Sequence, residues 1–265
     1  MLKVDADAAE AVRWKMHGLD AAEGHTAALA SKRKMKIQGF IFNWKGHEAN
    51  AKALEEKCGR VIDVTVINSE ECLKEEHKSW VHLDDSAYFS AQWTRAMELF
   101  QGDVLFHIQA DATFNRFEDL FAKAQRCFET YPLGVYEPNV DFTPHQFRKS
   151  LLRELEAGVH EVPMTDCTCW FIAGDIARKL PSIDLTINRY GWGVSRAIAG
   201  LSRLSGKLCV RDYNFKIQHP RGTGYSSKDA AYQLVTYLGC LSPELTREMI
   251  RIEILSDKLR LFKWG

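Results

Sequence analysis

A carboxylate placed just beyond a buried apolar run can hold a divalent ion against phosphate oxygens. Asp111 has that position, at the end of Gln109-Ala110-Asp111 and directly after Val104-Leu105-Phe106-His107-Ile108. Mg2+ and Mn2+ prefer oxygen ligands and complete their shells with nucleotide phosphates. The competing use of Asp111 is as a turn or helix cap ahead of Thr113-Phe114-Asn115. A second cluster is Asn188-Arg189-Tyr190-Gly191-Trp192-Gly193-Val194-Ser195. Its two glycines free the backbone, and the indole offers a flat apolar face with one N–H donor, a surface that suits a sugar. A buried Trp in a tight turn is the plainer alternative. The third cluster is His219-Pro220-Arg221-Gly222-Thr223-Gly224-Tyr225. His219 can ligate a metal, and Arg221 with the glycine-rich backbone can clamp a phosphate.

The elements that must position these groups alternate in type. Residues 37–42 form a short apolar run, and 47–58 carry Ala49, Ala53 and Leu54 at helical spacing before Gly59. Residues 61–67 are a β-branched strand. This β-α-β unit predicts parallel pairing through a right-handed crossover. Helical stripes follow at 89–100 and 117–130, strands at 104–108, 134–136 and 169–172, and a short helix at 174–180. Two helices close the chain, 227–241 and 243–262, the second with Ser242 as N-cap and Pro243 at its first position. In open α/β sheets ligands bind beyond the carboxyl ends of the strands. Asn43, Trp44 and Lys45 follow the first strand there, and Asn68, Ser69 and Glu70 the second.

A chain of 265 residues with 46% hydrophobic content supports one large α/β domain. Lys+Arg and Asp+Glu balance at 35 each, so no global charge draws it to nucleic acid or an anionic membrane. The seven cysteines (58, 72, 127, 167, 169, 209 and 240) include no C-x-x-C pair. They read as buried, inert thiols in a reducing, cytoplasmic setting. No apolar run reaches spanning length, and the acidic N-terminus lacks a signal-like apolar segment. Residues 1–35, rich in Ala and charge with a helix expected at 8–16, read as an N-terminal appendage. The final helix mixes Arg247, Arg251, Lys258, Arg260 and Lys263 with Ile250, Ile254, Leu255, Leu259 and Leu261. Packing on the core is the expectation for it, with a membrane surface or DNA as alternatives.

Taken in order, the clusters resemble the GT-A glycosyltransferases, especially the family 2-like group, over about residues 36–226. The resemblance implies an α/β fold: Rossmann-like, with a mostly parallel central sheet, flanking helices and a C-terminal helical extension, 227–265, packed on the core. Phe42-Asn43 is similar to the Tyr-Asn that ends strand one, a donor-base contact. Asn68-Ser69 falls where the family often has an Asp near the uracil or ribose. Gln109-Ala110-Asp111 resembles a degenerate Asp-x-Asp motif whose last Asp binds the metal on the donor diphosphate. Gly191-Trp192-Gly193 matches the acceptor loop, and His219 lies where a further metal ligand is common. The loop after it, with Arg221 and Tyr225, closes on the diphosphate.

The resemblance therefore implies transfer of a sugar from a nucleotide diphosphate donor, UDP-linked by expectation, with Mn2+ or Mg2+. The acceptor stays open among a glycan, a lipid-linked sugar, a protein and a modified nucleic-acid base. Two departures stand out. Gln109 cannot supply a carboxylate, and Val194-Ser195 replaces the Asp that serves inverting members as general base. Asp166 and Asp184 are the nearest substitutes by sequence; otherwise the enzyme is retaining or inactive. The rival readings are a sugar nucleotidyltransferase, whose glycine-rich basic signature Phe42-Asn43-Trp44-Lys45-Gly46 lacks, and a nucleotide-sugar-binding protein without catalysis.

Overall fold

The computed structural model describes residues 35–220 and 224–261. The expected appendage and the helix at 8–16 lie outside the described residues, as does Arg221. The first half of the domain is β1 (Ile37–Trp44), α1 (Glu48–Gly59), β2 (Asp63–Ser69), β3 (Val81–His82), α2 (Phe89–Leu99), β4 (Val104–Gln109) and α3 (Phe117–Thr130). The second half is β5 (Leu133–Val140), β6 (Glu154–Glu156), β7 (Val159–Glu161), β8 (Cys169–Ala173), α4 (Gly174–Ala177), α5 (Val194–Leu204), β9 (Leu208–Ile217), α6 (Ser227–Cys240) and α7 (Pro243–Leu259).

Among the described residues, all nine strands join one sheet in the order β3-β2-β1-β4-β8-β5-β9-β7-β6. β3, β2, β1 and β4 are parallel, as the β-α-β reading requires. The sheet is nonetheless mixed: β8 enters antiparallel between β4 and β5, and the β6–β7 hairpin adds an antiparallel edge to β9. Period-2 alternation sends side chains into two layers. Ile41, Val66, Phe106 and Ile108 pack toward α1 and α3. Phe40, Phe42, Leu105, Trp170 and Ile172 pack toward α2, α4, α5 and α7. Because both faces are covered, β8 is buried at all five residues and reads as a continuous apolar run.

The C-terminal helices begin where their caps predict. The Ser226 hydroxyl accepts from Asp229 N at 3.2 Å, and Ser242 accepts from Leu245 N at 3.3 Å with Pro243 in the first turn. Leu245, Met249 and Ile252 of α7 bury into the α5 side of the core. Four cysteines are buried as expected, but Cys72 and Cys240 are exposed, and all seven are free thiols.

Candidate functional site

The carboxyl ends of β1, β2 and β4 lie side by side, with Asn43 paired to Asn68 and Phe42 to Gln109 in the sheet register. Asn43 Nδ2 donates to Asn68 Oδ1 at 2.8 Å, and Asn68 Nδ2 reaches Glu70 O at 2.7 Å and His82 Nδ1 at 3.0 Å. Gln92 of α2 donates to Asn43 O at 2.7 Å. Asn43 and Asn68 are fully buried and Ser69 nearly so. The two asparagines therefore lash the strand ends together rather than offer side chains to solvent. What they shape is the rim formed by Trp44, Glu70 and His82, which are partly exposed.

Beyond β4 the chain turns sharply, with Ala112 N bonded to Gln109 O at 3.0 Å. Ala110 and Ala112 are buried, and Asp111 projects between them. Asn50 of α1 clamps both flanks, donating to Ala110 O at 2.5 Å and Ala112 O at 2.8 Å. Thr113 then pairs antiparallel with Gln218, Thr113 N to Gln218 O at 2.8 Å. That short bridge brings the end of β9 to the end of β4, although four strands separate the two in sequence. His219 arrives beside Asp111, Nε2 to Oδ2 at 3.4 Å, and its own N–H is held by Asp141 Oδ1 at 2.9 Å. Asp111 Oδ1 and His219 Nδ1 are buried without a hydrogen-bond partner. Burial alone would lower the His219 pKa; the hydrogen bond and charge of Asp111, with the charges of Asp166 and Asp141, outweigh it and raise it.

The two residues suit a hard divalent ion. A mixed nitrogen–oxygen pair with an orphaned carboxylate oxygen leaves room for further ligands, which phosphate and water commonly supply. Gln109 is partly exposed beside them. Elsewhere, Glu48, Glu76 and His77 have ligand atoms within 4.8 Å of one another. His77 Nε2 is already bonded to Glu48 Oε1 at 2.6 Å and its ring stacks on Trp80, so this group is explained as a hydrogen-bonded pair on the α1 flank.

The two candidate bases differ. Asp166 is partly exposed, and its charge reaches His219, His145, Arg211 and Tyr225. Its backbone N–H donates at 2.6 Å to Glu137 Oε1. Asp184 is exposed and occupied in its own turn, Oδ1 accepting from Thr186 N at 2.9 Å and Thr186 Oγ1 at 2.7 Å. Behind Asp166 lies a fully buried pair, Arg211 Nε to Glu137 Oε2 at 2.8 Å, with Arg211 Nη1 donating to His145 O at 2.6 Å. Burial pushes Glu137 up to about 7 although Arg211 pulls the other way. Sequence reasoning missed Asn50, Asp141, Glu137 and Arg211. A charge inside the apolar stretches of β5 and β9 was the available signal for the last two.

Gly191-Trp192-Gly193 is a tight turn feeding α5. Gly191 and Gly193 have φ of 77° and 93°, and a Cβ at Gly191 would sit 2.2 Å from the Phe89 ring. Both sites therefore require glycine. Buried Asn188 ties the turn, accepting from Gly191 N at 3.0 Å and donating to Trp192 O at 2.9 Å. Trp192 is partly exposed, and its Nε1–H donates to the Tyr225 hydroxyl at 2.9 Å. Tyr225 stacks on Tyr190 at 4.4 Å between ring centres, and Arg189 lies over Tyr88 at 4.4 Å. The turn thus joins the loop after His219 through an aromatic cluster, bringing two of the three sequence clusters together.

No protein-family model matches this chain, and no curated protein does. Solved structures do resemble it. GalNAc-T7, crystallised with UDP, GalNAc and Mn2+, aligns over 73% of this chain with a TM-score of 0.53 at 12% identity. The chain spans 45% of that protein's length. The mannosyltransferase PcManGT from Pyrobaculum calidifontis, in complex with GDP-Man and Mn2+, aligns over 85% of this chain and 70% of its own (TM-score 0.52, 11% identity). S. aureus TarS, in complex with UDP-GlcNAc, aligns over 86% and 68% respectively (TM-score 0.50, 13% identity). At such identities the likeness is one of fold, and the fold is that of the GT-A glycosyltransferases.

Proposed function

We propose that the chain transfers a sugar from a nucleoside-diphosphate donor, UDP-linked in the first instance, to an acceptor hydroxyl. The observation that carries this reading is Asp111: a residue whose two neighbours have their backbone carbonyls clamped by Asn50, with one buried carboxylate oxygen unpartnered, beside His219. Asp111 and His219 would hold Mn2+ or Mg2+, which supplies positive charge to the departing diphosphate. The resemblance of fold to proteins bound to UDP, GDP-Man, UDP-GlcNAc and Mn2+ supports the same donor class.

In the reaction, the acceptor oxygen forms a bond to the sugar's anomeric carbon as the bond from that carbon to the diphosphate oxygen breaks. Asp166 takes the hydroxyl proton, and the nucleoside diphosphate leaves. Asp166 is preferred over Asp184 because it stands near His219, whereas Asp184 is bound into its own turn. Trp192, on the Gly191–Gly193 turn, offers the acceptor an apolar face, and Gln109 and Tyr225 line the donor side. The test is donor turnover: UDP- and GDP-sugars incubated with Mn2+ or Mg2+, with release of nucleoside diphosphate measured. Metal-dependent release that falls about a hundredfold or more in Asp166→Asn is expected. Pyrophosphate from a nucleoside triphosphate and a sugar phosphate would overturn the reading in favour of a nucleotidyltransferase. Donor binding without turnover across the panel would leave a nucleotide-sugar-binding protein, which Gln109 and Ser195 would then explain.

A further inference from the structure

We propose that the outer face of α7 is a docking surface for an anionic lipid bilayer. This rests on the helix itself and stands whether or not the chain transfers sugar. α7 has 17 residues, about 25 Å of helix. Its inner face is already engaged: Leu245, Met249 and Ile252 are buried, and a Cβ at Gly200 of α5 would lie only 2.7 Å from Leu245 Cδ1. Ion pairs to α5 fix its rotation, Arg203 to Glu248 at 2.6 Å and Arg196 to Glu253 at 3.3 Å. Apolar side chains on the outer face are therefore surplus to folding and permanently presented.

Those side chains are Ile250 and Ile254, one turn apart, with Leu261 just past the helix end; they are 55%, 54% and 51% exposed. Of nine large apolar side chains exposed among the described residues, five lie within 227–261, including Tyr232 and Val235 of α6, so exposure concentrates on the C-terminal helices. Beside the isoleucines at helical spacing run Arg247, Arg251 and Lys258, all exposed. Arg247 and Lys258 have no ion-pair partner among the described residues; Asp257, on the same side, is paired with Arg260 at 2.8 Å. An apolar strip flanked by cations matches headgroup phosphates above an acyl boundary. Duplex DNA would use the cations and leave the isoleucines unrewarded, so the lipid surface is the better fit.

The experiment is cosedimentation of the full chain with phosphatidylcholine vesicles, pure or containing roughly a third phosphatidylglycerol. Binding to the anionic vesicles alone, weakening as salt rises, is expected. Ile250→Ser/Ile254→Ser and Arg247→Glu/Lys258→Glu should each reduce it about tenfold or more with an unchanged melting temperature. Absent binding, equal binding to neutral vesicles, or variants that bind like the parent would overturn the proposal. So would a dimer by light scattering that the isoleucine variant abolishes, which would assign the face to a second copy, or duplex DNA binding in place of vesicle binding.

Discussion

Two acid–base pairs hang on the same stretch of chain and behave in opposite ways. Arg211, within β9, meets Glu137 of β5 with both side chains at zero exposure. His219, just past β9, meets Asp111 at 3.4 Å, and each keeps a buried polar atom with no partner. The first pair is braced by His145 O and Asp166 N; the second is braced only through its backbone, by Asn50, Asp141 and the Thr113–Gln218 bridge. Charges removed from water are tolerable only when paired and hydrogen-bonded. The Arg211–Glu137 pair, in direct contact at 2.6 Å and wholly closed to solvent, is structural. The Asp111–His219 pair, rigidly mounted yet still reached by solvent, is the one we propose as the ligand site.

The largest effect expected from this contrast is on stability. Arg211→Met leaves Glu137 buried beside no cation and should cost about 3–5 kcal/mol in urea unfolding. Pairing it with Glu137→Leu should recover most of that loss. A single variant as stable as the parent would erase the distinction between the two sites.

Acid titration sharpens it next. Burial lowers His107 to about 3, with Trp170 Nε1 donating to its Nδ1 at 3.1 Å. Below the ordinary pKa of about 6.5 the unfolded chain takes up a proton that folded His107 refuses, so stability falls as pH drops from there toward 3, by up to about 1.4 kcal/mol per pH unit. Burial lowers His145 in the same direction. His219 has the opposite sign: its raised pKa gives stability present below about 6.5 and lost as pH rises through the folded value. His107→Gln, which keeps an acceptor for Trp170, should flatten the acid slope in chemical denaturation at stepped pH. An unaltered slope would show that another group carries it.

The parallel half of the sheet was legible because apolar runs and helical stripes alternate there with clear caps, as at β1–α1–β2 and at Ser242-Pro243. β8 was visible as a strand but not in its direction, since a fully buried run reads alike in either sense. α5 is harder to read: Val194, Ala197 and Ile198 carry helical spacing, but its N-cap is a left-handed glycine, Gly193, in place of a side chain that marks a helix start. Asp111 and His219 were readable as residue types following strands. Their meeting was not, because it depends on the two-residue bridge between Thr113 and Gln218. Asn43 and Asn68 look like ligand contacts in sequence, yet only the folded register shows them bonding each other at zero exposure.

The smallest stability change and the most direct test fall on the same residue. Asp111→Ala should alter unliganded stability by less than about 1 kcal/mol, since the loss of its long 3.4 Å contact with His219 is offset by removing a carboxylate oxygen buried without a partner. The decisive measurement is thermal shift with UDP, with and without Mn2+, on the parent chain and on Asp111→Ala. A ligand at about a hundred times its Kd should stabilise the parent by about 2.7 kcal/mol, only when metal is present, and the variant should lose that metal-dependent shift. A full metal-dependent shift retained in Asp111→Ala would contradict the assignment of this site.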